Sequence, residues 1–409
     1  MKNIELLCKK FYFYRMFKQN KSLIINYTNQ AIELRRQIHQ NPELSFEEYD
    51  TAKLIMRKLD EMAVPYTSNV GGNGIVATIK SGNFEKKIIA LRADFDALPI
   101  QEETGLDFES RNSGVMHACG HDIHSSSLLA VAGVLNELKN EWEGTIHFVF
   151  QHAEELLPGG AKQMLDANLF GDLQPEYVIA QHVDPDLKVG EFGFKSDKYM
   201  ASNDEIYLTI NGKGGHGAMP HKFDDTVLAA SQIINSLQQI SSRLVPAATP
   251  MVLSFGKFIA NGATNIIPNK VIIEGTFRTF DEKWRLEGHS HIERIAKSTA
   301  KAYGTECEVE IRKGYPVVVN NKDLYEMARK ITIDGWGEEQ VKELDYRMTS
   351  EDFAYFSNRY KSLFYRLGVG HKNESKNFPL HSSKFNPDES ALEHSIRFMT
   401  ELAINSIRV

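Results

Sequence analysis

The chain has 409 residues, of which 42% are hydrophobic and 25% are charged, and its formal net charge is −7. This length predicts two to three domains with a large core, and the composition is that of an ordinary soluble globular protein. The negative charge and the lack of a basic patch argue against a nucleic-acid partner. The three cysteines lie far apart, which excludes a disulfide framework and favours the cytoplasm.

Residues 1–28 are predicted to form an N-terminal extension. The first 22 residues combine lysine and arginine with phenylalanine and tyrosine. A basic amphipathic helix that touches a membrane is one alternative, but a loosely ordered extension is favoured. No apolar stretch is long enough for a signal peptide or a membrane span, so no membrane partner is predicted.

The first predicted helix follows Ser45. Ser45 and Glu48 have the spacing of a capping box, in which two side chains satisfy the first backbone N–H groups of a helix. Continuous apolar runs then predict buried strands at residues 74–79, 88–91, 146–150 and 177–180, with a helix at 125–138. This alternation predicts a mainly parallel α/β sheet. His147, inside one of the apolar runs, is predicted to pack in the core.

The pattern changes after residue 200. The predicted order is strand 205–210, helix 224–244, strands 251–258 and 270–279, helix 281–303 and strand 306–311. This β-α-β-β-α-β order is the ferredoxin-like motif. The predicted fold class is therefore α/β, with one domain formed by residues 29–200 and 315–409 and interrupted by an inserted α+β domain, residues 201–314. His289, on the second of these helices, is predicted to be solvated.

Polar side chains follow three predicted strands of the α/β domain. They are Asp94 and Asp96, the pair Glu154 and Glu155, and His182. Open α/β sheets bind ligands beyond the carboxyl ends of their strands, so we expect these groups to lie close together. The run 117–122 adds a thiol and imidazoles. Thiolate, imidazole and carboxylate together suit zinc or related divalent metals, so a metal site is predicted.

Six motifs, in order, resemble those of the M20 metallopeptidase family, amidohydrolase subgroup. They lie at residues 34–44, 92–99, 117–122, 153–155, 212–216 and 380–385. The resemblance implies a zinc-exopeptidase-like catalytic domain, with the inserted domain serving as a lid and dimerisation domain. It also implies a hydrolase that cleaves the amide bond of an N-acyl amino acid or similar small amide by metal-activated water.

The resemblance also assigns site residues. The implied ligands of two divalent ions (manganese, zinc or cobalt) are Cys119, His121, Glu155, His182 and His381. Glu154 is the implied general base and acid, while Asp96 and Asp122 are expected to orient the ligand imidazoles. His216 is expected to stabilise the oxyanion from the partner subunit of a homodimer or higher oligomer. Asn265 and Arg278 resemble positions that contact a substrate carboxylate.

The sequence departs from the subgroup near the paired glutamates. His152 stands where relatives usually have proline, Leu156 and Leu157 replace glycines, and Asp184 replaces a common aromatic residue. The implied ligands are all present, but the pocket walls differ. The acyl group and the amine side of the substrate are therefore not predicted.

Three alternatives stay open at this point. The first is a dipeptidase or carboxypeptidase of the same family. The second is a hydrolase with Cys119 as nucleophile, which leaves the paired glutamates without a role. The third is a non-catalytic metal- or ligand-binding protein, which has no need of the proton shuttle that Glu154 provides.

Overall fold

The computed structural model describes residues 20–408, which group into two compact units. The larger unit holds the described residues up to Asp197, Val319–Asp345 and the residues from Tyr355 onward. The smaller unit holds Lys198–Val318 and Tyr346–Ala354. Residues 346–354 thus group with the smaller unit, although the sequence analysis places them in the larger domain. The predicted limits at residues 200 and 315 stay predictions.

The strands follow one another along the chain. They are β1 (Tyr66–Thr67), β2 (Ile75–Ser81), β3 (Ile88–Asp94), β4 (Gly144–Gln151), β5 (Tyr177–Lys188), β6 (Phe192–Phe194), β7 (Asp197–Met200), β8 (Asp204–Asn211), β9 (Gly215–His216), β10 (Met251–Ile259), β11 (Ile266–Ile267), β12 (Lys270–Thr279), β13 (Glu306–Lys313), β14 (Val318–Asn320), β15 (Val341–Glu343) and β16 (Lys361–Gly370).

The helices are α1 (Lys21–Gln40), α2 (Tyr49–Glu61), α3 (His121–Glu137), α4 (Gly160–Asp166), α5 (Thr226–Leu237), α6 (Glu282–Ala302), α7 (Lys322–Trp336), α8 (Ala354–Ser357) and α9 (Ala391–Arg408). Short 3-10 turns lie at Lys139–Glu141, Pro220–Lys222, Glu338–Gln340 and Glu374–Lys376, and Ile240–Leu244 is π-helical. Across residues 20–408, no helix is both long and apolar enough to cross a bilayer.

A mostly parallel sheet lies at the centre of the larger unit. Its strand order is β1-β2-β4-β3-β5-β16-β6-β15, and β3 pairs in parallel with both β4 and β5. All eight residues of β4 are buried, as expected for a strand that is covered on both faces. Helices α3 and α9 pack against β3, α9 also packs against β16, and α1 packs against α3 and α9. Together they supply much of the core. The predicted α/β fold class is confirmed.

The smaller unit contains a four-stranded antiparallel sheet. Its order is β10-β12-β8-β13, with α5 and α6 packed on the sheet. Along β8, buried residues alternate with half-buried ones, because successive side chains of a strand point to opposite faces. The chain order β8-α5-β10-β12-α6-β13 is the predicted ferredoxin-like motif.

Two local predictions near the N-terminus are wrong. The predicted end of the extension, residue 28, lies too far along the chain. Residues 21–28 form the first two turns of α1 and bury Ile24, Tyr27 and Thr28. The remainder of the extension, residues 1–19, lies outside the described residues. The helical spacing of Ile24, Tyr27 and later apolar residues was the signal for this helix.

The predicted capping box does not form. Helix α2 begins at Tyr49, and the carboxylate of Glu43 accepts the N–H groups of Asp50 and Thr51, at 3.0 and 2.8 Å. The side chains of Ser45 and Glu48 have other partners, at the end of the central sheet. The free N–H groups of a helix start need an acceptor, and here a residue from further upstream provides it.

Candidate metal centre

The candidate site lies where β3, β4 and β5 separate. β3 pairs with β4 as far as Asp94, but its pairing with β5 ends earlier, at Ala180 of β5. β5 itself continues to Lys188 beside β16. His182 therefore lies inside a strand, and the expectation that it ends one is wrong. Because β3 has already diverged at this level, the His182 side chain has space to face the loops that follow β3 and β4.

A tight turn joins Cys119 to His121, the first residue of α3. Gly120 has φ +90°, in the left-handed region that glycine adopts without strain. A Cβ at this position would lie 2.4 Å from Cγ2 of Val183. Glycine is therefore required here, and its turn brings the buried Cys119 thiol beside the N-terminus of α3.

Hydrogen bonds determine which ring nitrogen of each histidine is free. His121 Nδ1 lies 3.1 Å from Asp96 Oδ1, so in the neutral ring this nitrogen carries the proton and Nε2 carries the lone pair. His121 Nε2 is buried and has no hydrogen-bond partner among the described residues. His182 Nδ1 donates to Val183 O at 2.8 Å, which leaves Nε2 as the acceptor, 3.3 Å from Cys119 Sγ.

Glu155 and His381 complete the cluster. Glu155 Oε1 is buried, has no hydrogen-bond partner within residues 20–408, and lies 3.4 Å from His381 Nε2. The neighbouring Cys119 and Glu155 raise the pKa of His381 to about 10. His381 has φ +64°, rare for a residue with a Cβ, and its N–H donates to Ala118 O at 2.8 Å. Strain of this kind is typical of functional sites.

The donor atoms converge as three overlapping groups. Within each group, the atoms lie within 4.8 Å of one another: Cys119, His121 and His182; Cys119, Glu155 and His381; and His121, Glu154 and Glu155. Buried lone pairs without donors cost free energy unless a cation or proton occupies the space between them. Thiolate, imidazole and carboxylate are ligands for divalent transition metals. The residues therefore fit divalent metal ions.

A fourth group, Asp94, His121 and His124, also satisfies the distance criterion. His124 Nδ1 lies 2.6 Å from Asp94 Oδ1, and its Nε2 accepts the N–H of Val183 at 2.9 Å. Both nitrogens of His124 are thus in use, and its role is to join α3 to β3 and β5. Sequence reasoning missed this contact, although His124 lies three residues after His121, on the same side of a helix.

Asp122 does not support a ligand imidazole, and that expectation is wrong. Its Oδ2 accepts from Arg35 Nε at 2.7 Å and contacts His39 Nδ1 at 2.8 Å. Burial opposes ionisation of Asp122, but Arg35 and His39 hold its pKa well below the usual range. Asp122 therefore joins α3 to α1, whereas Asp96 has the contact with His121. Burial opposes ionisation of Asp96 as well, and the bond from His121 lowers its pKa.

Comparison with known proteins agrees with this chemistry. Residues 90–405 match Peptidase family M20/M25/M40. The chain belongs to this family. An N-acyl-L-amino acid amidohydrolase of Geobacillus stearothermophilus is 40% identical over 73% of this chain and 80% of its own length. A hippurate hydrolase of Campylobacter jejuni is 36% identical over 94% of this chain and 98% of its own.

A solved structure of a metal-binding family member is also similar to this chain. The YXEP protein of Bacillus subtilis, described as a dinuclear metal binding peptidase from the M20 family, has a TM-score of 0.81 and 32% identity. The match covers 94% of this chain and 99% of that one. The predicted family and the prediction of a metal-dependent hydrolase are confirmed.

The remaining predicted residues of this M20 chain lie in the smaller unit. His216, on β9, is opposite Ile266 of β11, and Gly217 N donates to Asn265 O at 2.9 Å. The structure thus brings His216 and Asn265 together. His216 Nδ1 accepts from Ala218 N at 3.1 Å, so the exposed ring carries its proton on Nε2 when it is neutral.

Arg278 lies on β12 and is half-buried. Its Nη1 donates to Met348 O at 3.0 Å and its Nε to Thr276 Oγ1 at 3.2 Å. Burial lowers the pKa of Arg278, and within residues 20–408 it forms no ion pair. The guanidinium therefore keeps donors for an external carboxylate.

Proposed function

We propose that this M20 enzyme hydrolyses the amide bond of N-acyl amino acids. The observation that carries the proposal is the convergence of one thiol, three imidazoles and one carboxylate at the end of the central sheet. The proposed ligands of two divalent ions are Cys119, His121, Glu155, His182 and His381. The names of the two relatives support the substrate class, because hippurate is itself an N-acyl amino acid.

The metal ions supply Lewis acidity, which polarises an amide carbonyl and lowers the pKa of water. Thiolate ligation favours zinc, and manganese and cobalt are the other candidates. Burial and Glu155 raise the pKa of the Cys119 thiol, although His121 opposes this shift. Cys119 therefore needs a cation to remain deprotonated near neutral pH.

Glu154 is the proposed proton carrier. It is buried and belongs to one donor group with His121 and Glu155. Its carboxylate accepts a proton from water as the water oxygen bonds to the carbonyl carbon. As the C–N bond breaks, the same carboxyl group donates that proton to the leaving nitrogen, and the products are a carboxylic acid and an amine. Glu155, its neighbour, is reserved for metal binding.

The smaller unit is proposed to supply substrate contacts. His216 is proposed to donate from Nε2 to the oxyanion in the partner subunit of a homodimer. Asn265 and Arg278 are proposed to bind the carboxylate of the amino acid, since an arginine fork matches a carboxylate. The exposure of His216 and the hydrogen bond from the adjacent Gly217 to Asn265 support this assignment.

A substrate panel tests the proposed function. The purified protein would be stripped with EDTA, reloaded separately with manganese, zinc or cobalt, and assayed with N-acetyl, longer N-acyl and dipeptide substrates. We expect hydrolysis of N-acyl amino acids only in the metal-loaded protein. Faster cleavage of dipeptides would favour a dipeptidase instead. Undiminished turnover after removal of all metal would contradict the proposal.

A further inference from the structure

The loop that carries the paired glutamates has an unusual backbone conformation. Ala153, directly before Glu154, has φ +49°, a left-handed conformation that the Cβ of alanine disfavours. The Ala153 carbonyl accepts the N–H of Gly160 at 2.8 Å, so one side of this peptide is fixed inside the loop. Because φ at Ala153 determines where the next residue points, its conformation controls the position of the Glu154 side chain.

A distant carboxylate holds the other side of Ala153. Glu48 is fully buried, and its Oε1 accepts the N–H of Ala153 at 2.8 Å and that of Phe46 at 2.9 Å. Its Oε2 accepts from Asn73 Nδ2 at 3.0 Å. A buried carboxylate with three N–H donors is a rigid anchor, since loss of any bond leaves a polar group unsatisfied. This anchor joins the start of α2 to the glutamate loop.

A second anchor lies just after Glu154. The N–H of Glu155 donates to Asp96 Oδ2 at 3.0 Å, and Ser45 Oγ donates to the same oxygen at 2.7 Å. Ser45 therefore supports, through Asp96, the peptide that follows Glu154, whereas Glu48 directly holds the peptide that precedes Ala153. The two anchors use different acceptors, so removal of Glu48 leaves the hydrogen bond from Glu155 N to Asp96 Oδ2 in place.

We propose that Glu48 is a positioning residue that holds Ala153 in its left-handed conformation and so aims the Glu154 carboxylate at the reacting water. The inference rests on the proposed function, in which Glu154 carries the proton. Among the described residues, the side-chain hydrogen bonds of Glu48 reach Phe46, Asn73 and Ala153 and none of the proposed metal ligands. Its effect is confined to the orientation of Glu154, because Asp96 holds the Glu155 peptide.

Three variants test the proposal, with kcat, KM and bound metal measured for each. In Glu48→Ala, Ala153 can relax to negative φ, and we expect kcat to fall roughly 10²-fold, as for a displacement of about 1 Å. KM and metal stoichiometry should stay close to those of the wild type. Glu48→Gln keeps a carbonyl acceptor for the two N–H groups and should retain most of kcat. Glu47→Gln changes an exposed neighbouring carboxylate and should match the wild type.

A second substitution distinguishes backbone positioning from general loosening. Glycine adopts the left-handed conformation without a Cβ penalty, so Ala153→Gly in the Glu48→Ala background should recover about tenfold in kcat. Amide hydrogen exchange at residues 152–155 provides a measurement that does not depend on activity. In Glu48→Ala, exchange of the Ala153 N–H should be faster than in the wild type, whereas exchange of the Glu155 N–H, which donates to Asp96, should be unchanged. Glu47→Gln should match the wild type at both.

Three results would overturn the proposal: a kcat within about threefold of the wild type in folded Glu48→Ala, no recovery with Ala153→Gly, or unchanged exchange of the Ala153 N–H. Thermal unfolding of each variant gives the folded fraction to which kcat is referred. If the wild type hydrolyses none of the amides, the proposed function fails, whereas the exchange measurement still decides whether Glu48 holds the loop.

Discussion

At the scale of single residues, hydrogen bonds select the histidines that can bind metal. Asp96 and the Val183 carbonyl each occupy Nδ1 of one ring, so the Nε2 lone pairs of His121 and His182 face the same space. His124 has no lone pair to offer, because Val183 N occupies its Nε2. The resemblance named His121 as a ligand and did not mention His124, and the folded structure shows why His124 is excluded.

Asp96 and Asp122 have different partners, which gives a paired prediction. Asp96→Asn replaces the carboxylate that orients His121, so we expect metal affinity to fall about 10- to 100-fold. Asp122→Asn leaves that contact intact but breaks a buried ion pair with Arg35, so it should lower the free energy of unfolding by about 3 kcal/mol. Isothermal titration with zinc and urea unfolding measure the two effects. Weaker zinc binding in Asp122→Asn together with unchanged zinc binding in Asp96→Asn would contradict the structure.

The cysteines give a second matched pair. Cys119→Ser removes the thiolate from the donor cluster and should weaken zinc binding at least about tenfold, because a hydroxyl stays protonated. Cys307, on β13 in the smaller unit, is also buried, and burial raises its pKa to about 11. Cys307→Ser should leave the zinc affinity unchanged. Equal losses in the two variants would show that the effect is general destabilisation.

At the scale of elements, the strands that carry the site could be predicted and their connections could not. Apolar runs located β3, β4 and β5, and polar residues at their ends located the site. The capping box failed because Glu48 bonds to Ala153, 105 residues away along the chain. Local spacing contains no information about a partner at that distance. The end of β5 was misjudged because β16 continues to pair with it after β3 has stopped.

The surroundings of His147 on β4 and of His289 on α6 could be predicted only in part. His147 is buried as predicted, and its Nε2 donates to Leu173 O at 2.9 Å while Nδ1 contacts Thr78 Oγ1 at 2.9 Å. His289 was predicted to be solvated, which is wrong. Its Nε2 lies 2.5 Å from Asp204 Oδ2, a carboxylate that also binds Arg285. Helical spacing alone did not reveal that the strand beneath α6 carries a buried charge.

His147 gives a prediction for pH-dependent stability. Burial lowers its pKa to about 4 from an ordinary value of 6.5, so the unfolded chain binds the proton more tightly. Its contribution is fully present above pH 6.5 and is lost as the pH falls towards 4. Relative to His147→Gln, the wild type should lose about 3 kcal/mol of unfolding free energy over this range.

Urea unfolding of both proteins at intervals between pH 7 and pH 4 measures this difference. His221→Gln, at an exposed position of the smaller unit, serves as the control and should follow the wild type. A constant difference between wild type and His147→Gln across this range would show that His147 titrates alike in the folded and unfolded states.

At the scale of the whole molecule, the insertion of one domain into another was predictable from the order of elements. The ferredoxin-like motif is recognised from the order of its strands and helices, and each of these elements has its own local sequence pattern. His381 could be included in the site only through the resemblance, because nearly 200 residues separate it from His182. The contacts of His381 with Ala118 and Glu155 depend on tertiary folding.

The proposed homodimer predicts complementation between inactive subunits. His216→Ala and Glu154→Gln should each inactivate the protein, whereas a heterodimer has one site with both residues intact if His216 acts in the partner. Co-expression of the two variants should then restore about a quarter of wild-type activity, since half of the dimers are mixed. No recovery in purified mixed dimers would mean that His216 acts within its own subunit or not at all. His221→Ala, nearby and exposed, controls for surface effects.

The central claim is that Glu154 carries the proton whereas its neighbour Glu155 binds metal. A comparison of Glu154→Gln with Glu155→Gln tests this claim most directly. Turnover of an N-acyl amino acid and bound metal per chain would be measured on the same zinc-loaded samples. We predict that Glu154→Gln keeps its metal and loses about 10²- to 10⁴-fold in kcat, because only the proton carrier is lost. Glu155→Gln should lose metal. Wild-type turnover in Glu154→Gln, or loss of its metal, would contradict the account.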